Sequence, residues 1–589
     1  GGKSVWAVDI KSTDGMLSGD EFAVPAVALE ELVLRGNFAP DTGVLAVTQA
    51  RVRAGGSQVE AAGEITTADG RQSLRMEGRI GPATAEIAKA IWPRMLGPGA
   101  RRWVGKHVTK GRLSGGTFKV AIAASQGVVL PENRRVSLTL EATDVAFVPA
   151  KTLVPVDVPR ALLRIEGDSL EISIPDASSQ IGANRRVAMK SGRFTAVAIY
   201  DEPTLGEVAF RFQSPLLSAV DYLEQDSLGL GPLGLPSEGL DGKVEGNLKI
   251  NLPLISGVTL SDMKIEGKAR VTDGRAKQII GSHDVQGATI NIDVGDGAVN
   301  GTGQMLVGGV TAKLAFQRVL GAAEDQQPPL RLSANLDASD RNQLGLETSQ
   351  IILGDIPVDL TMTRGGNGER QTRVRADLSG AELIIEPMAW RKAPGRQALL
   401  EFDVVRAQKN RTELQNFRLV GDDIAIDGNM AIDGRGRLVE FHFPNFALTL
   451  VSRMELQGSL RADNVWDVKA RGQYWDGRDF FRQLFAVGQT PEKPVPIKKD
   501  QPGVDLKAEI ENVLGHGDIS LKGLRLQMSR RGQKLVGLLA RGTVEGGKPI
   551  EVGMQQTANE PRKLVVMTDD AGQAFRMVGF YPNLQGGVM

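Results

Sequence analysis

Between Leu240 and Leu254 the even positions read Leu240, Gly242, Val244, Gly246, Leu248, Ile250, Leu252 and Leu254. The odd positions read Asp241, Lys243, Glu245, Asn247, Lys249, Asn251 and Pro253. Period-2 alternation over this length describes a strand with one apolar and one wet face. The phase resets, and Met263, Ile265, Ala269 and Val271 alternate with Lys264, Glu266, Lys268 and Arg270. Asp273-Gly274 then offers a turn. Ala288, Ile290, Ile292 and Val294 repeat the pattern, Asp296-Gly297 offers a second turn, and Val310, Ala312, Leu314 and Phe316 continue it. These segments predict a run of antiparallel strands whose apolar side chains all share one face.

The rest of the chain repeats this theme with a few interruptions. Strand-like alternation fills residues 1–80, with Gly55-Gly56 and Asp69-Gly70 as punctuation. A helical insert is expected at 82–107, opened by Pro82, with Ile87, Ala88, Ile91 and Trp92 on one face. Alternation resumes through Val136, Leu138 and Leu140, then Leu170, Ile172 and Ile174, and then Phe194 to Phe212. Ser214-Pro215 reads as an N-cap followed by a first-turn proline. The helix it opens, at about 214–224, has the stripe Leu216, Ala219, Val220 and Leu223. Strands return to about residue 470, with turns expected at Asp427-Gly428 and Asp433-Gly434. A helix at about 477–487 places Phe480, Phe481, Leu484 and Phe485 on one side. Residues 489–503 hold three Lys and four Pro and read as a linker. A last helix at about 570–580 is capped by Asp569 and Asp570, with Ala574, Phe575 and Val578 inward. The expected organisation is therefore a first β segment over 1–213, a central one over 214–488, the linker at 489–503 and a last β segment over 504–589.

Helix then amounts to ~10–15 % of the chain and strand to about half, a mainly β protein. Seventy glycines among 589 residues, about 12 %, fit a chain with many reversals. If about 35 to 40 strands form one ladder at ~4.8 Å spacing, the sheet runs on the order of 150 Å. Four or five short helices cannot cover an apolar face of that length. Either the sheet packs on itself as sandwiches, or its face lines a groove that holds something apolar.

Conventional chemistry is sparse. There are no cysteines, which excludes disulfides and thiolate-bound metal. Seventy basic and 70 acidic residues cancel, so no bulk field draws the chain to nucleic acid. No run of 18 apolar residues is present. The chain opens Gly-Gly-Lys inside a strand-like pattern, and a targeting segment is expected upstream. His107, His283, His442 and His516 are isolated in sequence. Gly229, Gly231 and Gly234 match G-x-G-x-x-G but follow a helix and include Pro232, so they fail the dinucleotide context. Asp422-Asp423 and Asp569-Asp570 read as a strand edge and a cap. Trp390 and Trp475 adjoin helices and read as packing anchors. Lys493, Lys498 and Lys499 read as a solvated linker. No catalytic residue and no cofactor is expected.

Three groups of residues together resemble the AsmA-like family, in its long YhdP-type form from Gram-negative bacteria. They are Ile91-Trp92-Pro93 with Arg101-Arg102-Trp103-Val104 and Gly111; Ser214-Pro215-Leu216-Leu217 with Asp221-Tyr222-Leu223; and Asp569-Asp570-Ala571-Gly572 with Val578-Gly579-Phe580-Tyr581 and Gly586-Gly587. The resemblance implies a long, twisted, predominantly antiparallel sheet curved into an elongated groove. It also implies a periplasmic location, an inner-membrane anchor through an N-terminal helix missing from this chain, and a role in moving phospholipid towards the outer membrane. The expected function is a non-enzymatic phospholipid conduit supporting outer-membrane homeostasis, with an outer-membrane partner possible and no nucleic acid. Its expected lining includes Leu248, Ile250, Leu252, Ile290, Ile292 and Val294. The alternative expectation is an envelope scaffold, or an assembly factor for outer-membrane proteins, working through its sheet edges.

Overall fold

The computed structural model describes residues 4–18, 26–68, 71–92, 98–125, 128–149, 153–182, 185–200, 204–225, 228, 233, 235–255, 258, 262–364, 370–407, 411–434, 436–485, 502–532, 534–555, 563–581 and 583–589. The chain is mainly β, 67% strand and 10% helix, and its main sheet of 31 strands is predominantly antiparallel. The Gly229–Gly234 motif, the turn at Asp69-Gly70 and Lys493, Lys498 and Lys499 lie outside the described residues. So does nearly all of the expected linker, whose last residue, Gly503, already opens a strand.

Two compact units divide the chain: Gly1–Met305 with Phe316–Ala323, and Leu306–Ala315 with Glu324–Met589. In the first unit, strand Trp6–Ser12 pairs with Glu31–Ala39. From there each long strand pairs with the next long one in sequence, as far as Lys264–Ile280 with His283–Gly295. The second unit is built the same way, with one exception. Val465–Asp476 pairs in parallel with Gly503–Leu514, so the chain between them crosses from one end of the strands to the other. Several strand glycines let an aromatic ring from the neighbouring strand lie across the backbone. A Cβ at Gly78 would stand 2.8 Å from the Phe118 ring, and one at Gly458 would stand 2.5 Å from Phe441.

Two of the expected turns are bulges inside strands. Asp273 adopts φ 53°, and the pairing of Lys264–Ile280 with His283–Gly295 slips beside it, yet the strand runs on to Ile280. An Asp tolerates the left-handed region, and one extra residue bends a strand without reversing it. At Asp427-Gly428 the register likewise shifts within strand Ala425–Asp433. The reversals at Gly55-Gly56, Asp296-Gly297 and after Asp433 stand as expected.

Six α-helices occur among the described residues: α1 Ala85–Ile91, α2 Pro98–His107, α3 Leu216–Leu223, α4 Ala338–Gln343, α5 Arg478–Phe485 and α6 Ala571–Met577. α1 starts three residues after Pro82. Ala83 and Thr84 first pair in the sheet with Leu113 and Arg112, and Thr84 Oγ1 then accepts from the Ile87 amide at 3.3 Å. α3 is not capped by Ser214, which is still paired in the sheet opposite Val244 and turns its hydroxyl to the Pro215 carbonyl. Along the helix Ser218 and Val220 are buried, while Leu223, expected inward, is exposed. α6 begins as expected: Asp570 Oδ1 accepts from the Gln573 amide at 2.9 Å. Ala574 and Met577 are buried beneath it.

Candidate functional site

Residues directly opposite in an antiparallel ladder present their side chains on the same face. Following the register across the first unit therefore traces rows over the sheet. One row passes through Leu32, Val52, Val59, Ile80, Gly116, Leu140, Leu163, Ile172, Phe194, Val208, Ile250 and Ile265, each directly paired with the next. Twelve strands contribute and none supplies a polar side chain. Every residue of the row is half-buried; Val52, near one end, packs with α1 against the buried pair Leu29 and Ala54. At ~4.8 Å per strand the row is roughly 50 Å long.

The other face of these strands is charged. Arg51 meets Glu60 at 2.8 Å, Arg160 meets Glu141 at 2.7 Å, Arg193 meets Glu171 at 2.9 Å and Lys249 meets Glu207 at 2.8 Å. Exposed pairs of this kind add little stability. Their weight lies in register: a one-residue slip would turn these charges into the apolar face and the aliphatic side chains into water.

All six residues expected to line a groove fall on the apolar face, and all are half-buried. Ile250 is in the row itself. Leu248 faces Gly267, which faces Val294; Ile292 faces Ala269 and Ile290 faces Val271. Leu252 faces Gly206 one pair along. Three neighbouring strands thus bring the six together. The remaining row members, from Leu32 to Val208, were readable as alternating segments, but nothing in the sequence aligns them with Ile250.

Among the described residues, helices meet this face at its margin. The Ile87 side chain of α1 packs where a Cβ on Gly55 would fall, and Ala90 and Ile91 lie against Leu29 and Ala54. α3 packs on the strands between Ser169 and Pro253.

The second unit has an equivalent row: Ala334, Val358, Ala376, Leu400, Leu419, Ile426, Phe446, Met454, Gly472, Ile510 and Leu524. Here eight of the eleven positions are buried; only Ala334, Leu400 and Gly472 are half-buried. The cover comes from chain inserted between strands. A three-stranded sheet of Ile352–Leu353, Glu382–Ile385 and Trp390–Lys392 places Leu383 in the same core, and the approach to it adds Leu378 and Ala381. Phe481 of α5, Ala574 and Met577 of α6, and Trp390 and Trp475 pack there too. Two buried cations hold the inserts. Arg341 of α4 donates to the carbonyls of Leu336, Gly354 and Ile352 at 2.8–2.9 Å. Lys392 Nζ donates to those of Ser379, Ala393 and Arg396 at 2.9–3.2 Å, and burial lowers its pKa.

The isolated polar residues take local partners. His107 Nδ1 lies 2.7 Å from the Val148 carbonyl, His442 Nε2 3.0 Å from Glu455, and His516 Nε2 2.9 Å from the Arg478 carbonyl. Asp422 accepts from the Gln397 amide, and Asp423 pairs with Arg396. Comparison of the chain with protein-family models, with curated proteins and with solved structures gives no match.

Proposed function

We propose that this chain is a phospholipid conduit: acyl chains lie along the apolar face of the first unit while headgroups stay in water at its edge. One observation carries the reading, the twelve-strand row from Leu32 to Ile265 that is apolar throughout and only half-buried at every position. A half-buried aliphatic surface roughly 50 Å long is costly to leave in water. Acyl tails match it in chemistry and scale. One leaflet's tails reach ~15 Å, half the hydrocarbon core, so about three lengths fit end to end. Each methylene withdrawn from water contributes ~0.8 kcal/mol. Because the row is uniform, those contacts differ little from place to place, which favours sliding over tight capture. The resemblance to the AsmA-like family gives the setting: the periplasm, between inner and outer membranes, with transport direction supplied by a partner or a lipid gradient.

Mass spectrometry of organic extracts from the purified protein tests this reading. Several phospholipids per chain, lost in an Ile250→Asp/Ile292→Asp variant whose circular dichroism is unchanged, is the expected result. A stable, lipid-free wild-type protein would overturn it and leave an envelope scaffold as the better account.

A further inference from the structure

The insert that carries α1 and α2 has a charge unlike the rest of the chain. Between Pro82 and Arg112 there are seven Lys and Arg residues and a single acidic one, Glu86, in a chain whose charges cancel as a whole. The structure concentrates this charge. Lys89, in the last turn of α1, reaches across to the carbonyls of Gly105 and Val108 at the end of α2. Arg102 and Lys106 are exposed on α2, and Lys110 and Arg112 are exposed on the strand that follows. Amid these cations Trp103 is 43% exposed. Its ring stacks on His107 at 5.1 Å and touches Phe147 at 5.7 Å, so the indole is held in place with its outer part in water. Val104 and His107 are the less exposed side of the helix, and His107 is tied to the Val148 carbonyl.

We infer that the face of α2 bearing Arg102, Trp103 and Lys106 is a docking surface for an anionic phospholipid bilayer. An anchored indole flanked on its helix by exposed Arg102 and Lys106 is suited to the membrane interface: the ring sits among headgroups and the cations meet lipid phosphates and anionic lipids. Charge complementarity selects that occupant, since the insert offers one carboxylate to repel it and each cation near an anionic surface strengthens binding by roughly fivefold. The inference stands apart from the conduit reading, because a chain that carries no lipid could still dock here.

Co-sedimentation of the full chain with phosphatidylglycerol-containing vesicles, and with vesicles of phosphatidylcholine alone, tests it. Binding to the first and not the second, weakening as salt rises, is expected. An Arg102→Glu/Lys106→Glu variant should bind at least about tenfold more weakly, Trp103→Ser should also bind more weakly, and Arg102→Lys/Lys106→Arg should bind like the wild type. Ile292→Asp should keep vesicle binding even where it loses co-purified lipid, which separates the two proposals. Equal binding to both vesicle types, or undiminished binding by the charge-reversed variant, would overturn the inference.

Discussion

The rows through Ile250 in the first unit and Ile510 in the second are both built of apolar side chains and glycine, on strands that pair almost entirely antiparallel. One is half-buried throughout and the other is mostly closed over. The difference lies in what interrupts the strands. The first unit inserts α1, α2 and α3, which touch the face at its margin. The second adds α4, the small sheet around Leu383, α5 and α6, with Arg341 and Lys392 tying down α4 and the small sheet, and residues of the sheet, α5 and α6 join the core. A repeated β pattern thus builds an apolar surface, and the insertions decide whether that surface becomes a core or stays available.

The largest expected effect comes from the same charge placed on the two rows. Ile510 is 4% exposed, so Ile510→Asp buries a carboxylate without a partner and should cost more than about 4 kcal/mol in urea unfolding. Ile250→Asp, on the half-buried row, should cost about 1–2 kcal/mol. Equal losses would remove the distinction between the units. Truncating an aromatic sharpens it further. Phe443, packed among Phe417, Phe441 and Phe446, should lose about 3–5 kcal/mol on change to Ala, and Phe194 less than half of that.

The clamp on the cover comes next. Lys392→Met keeps the stem but leaves three carbonyls without their donor, and should cost about 2 kcal/mol while speeding amide exchange in Glu382–Ile385. Unchanged exchange there would mean that Lys392 does not hold the insert.

The smallest effect is electrostatic. The Arg531 guanidinium beside Asp505 lowers its carboxyl to about 2. A carboxylate depressed in the folded state contributes stability that is present above its unfolded value, near ~3.9, and is lost as pH falls through the folded one. Asp505→Asn should therefore flatten the acid end of the stability curve between about pH 4 and pH 2, by less than about 1 kcal/mol because the pair is partly exposed. A curve identical to the wild type's would show that the pair contributes nothing.

The apolar face itself was legible in the sequence, because alternation is a local signal and residues such as Leu248 to Leu252 and Ile290 to Val294 display it strongly. Strand reversal was less legible. Asp-Gly marks both a turn, as at Asp296-Gly297, and a bulge, as at Asp273-Gly274, since both use the same left-handed conformation. Helix starts slipped where sheet pairing overrode a capping signal, as at Ser214. The alignment of Leu32 with Ile250 was not legible at all. Register between strands far apart in sequence accumulates through every bulge between them. The cover in the second unit was hidden for a related reason. Arg341 and Lys392 look like surface residues until their carbonyl partners, some more than ten residues away, are brought in.

The most direct test places a photo-activatable phenylalanine analogue at Ile172 or Ile250 in the first unit, and at Ile426 or Ile510 in the second. Illumination in cells followed by mass spectrometry then reads which positions cross-link to phospholipid. The account predicts lipid adducts at Ile172 and Ile250, and adducts only to protein at Ile426 and Ile510. Lipid adducts absent from the first unit, or equally abundant in both, would contradict it.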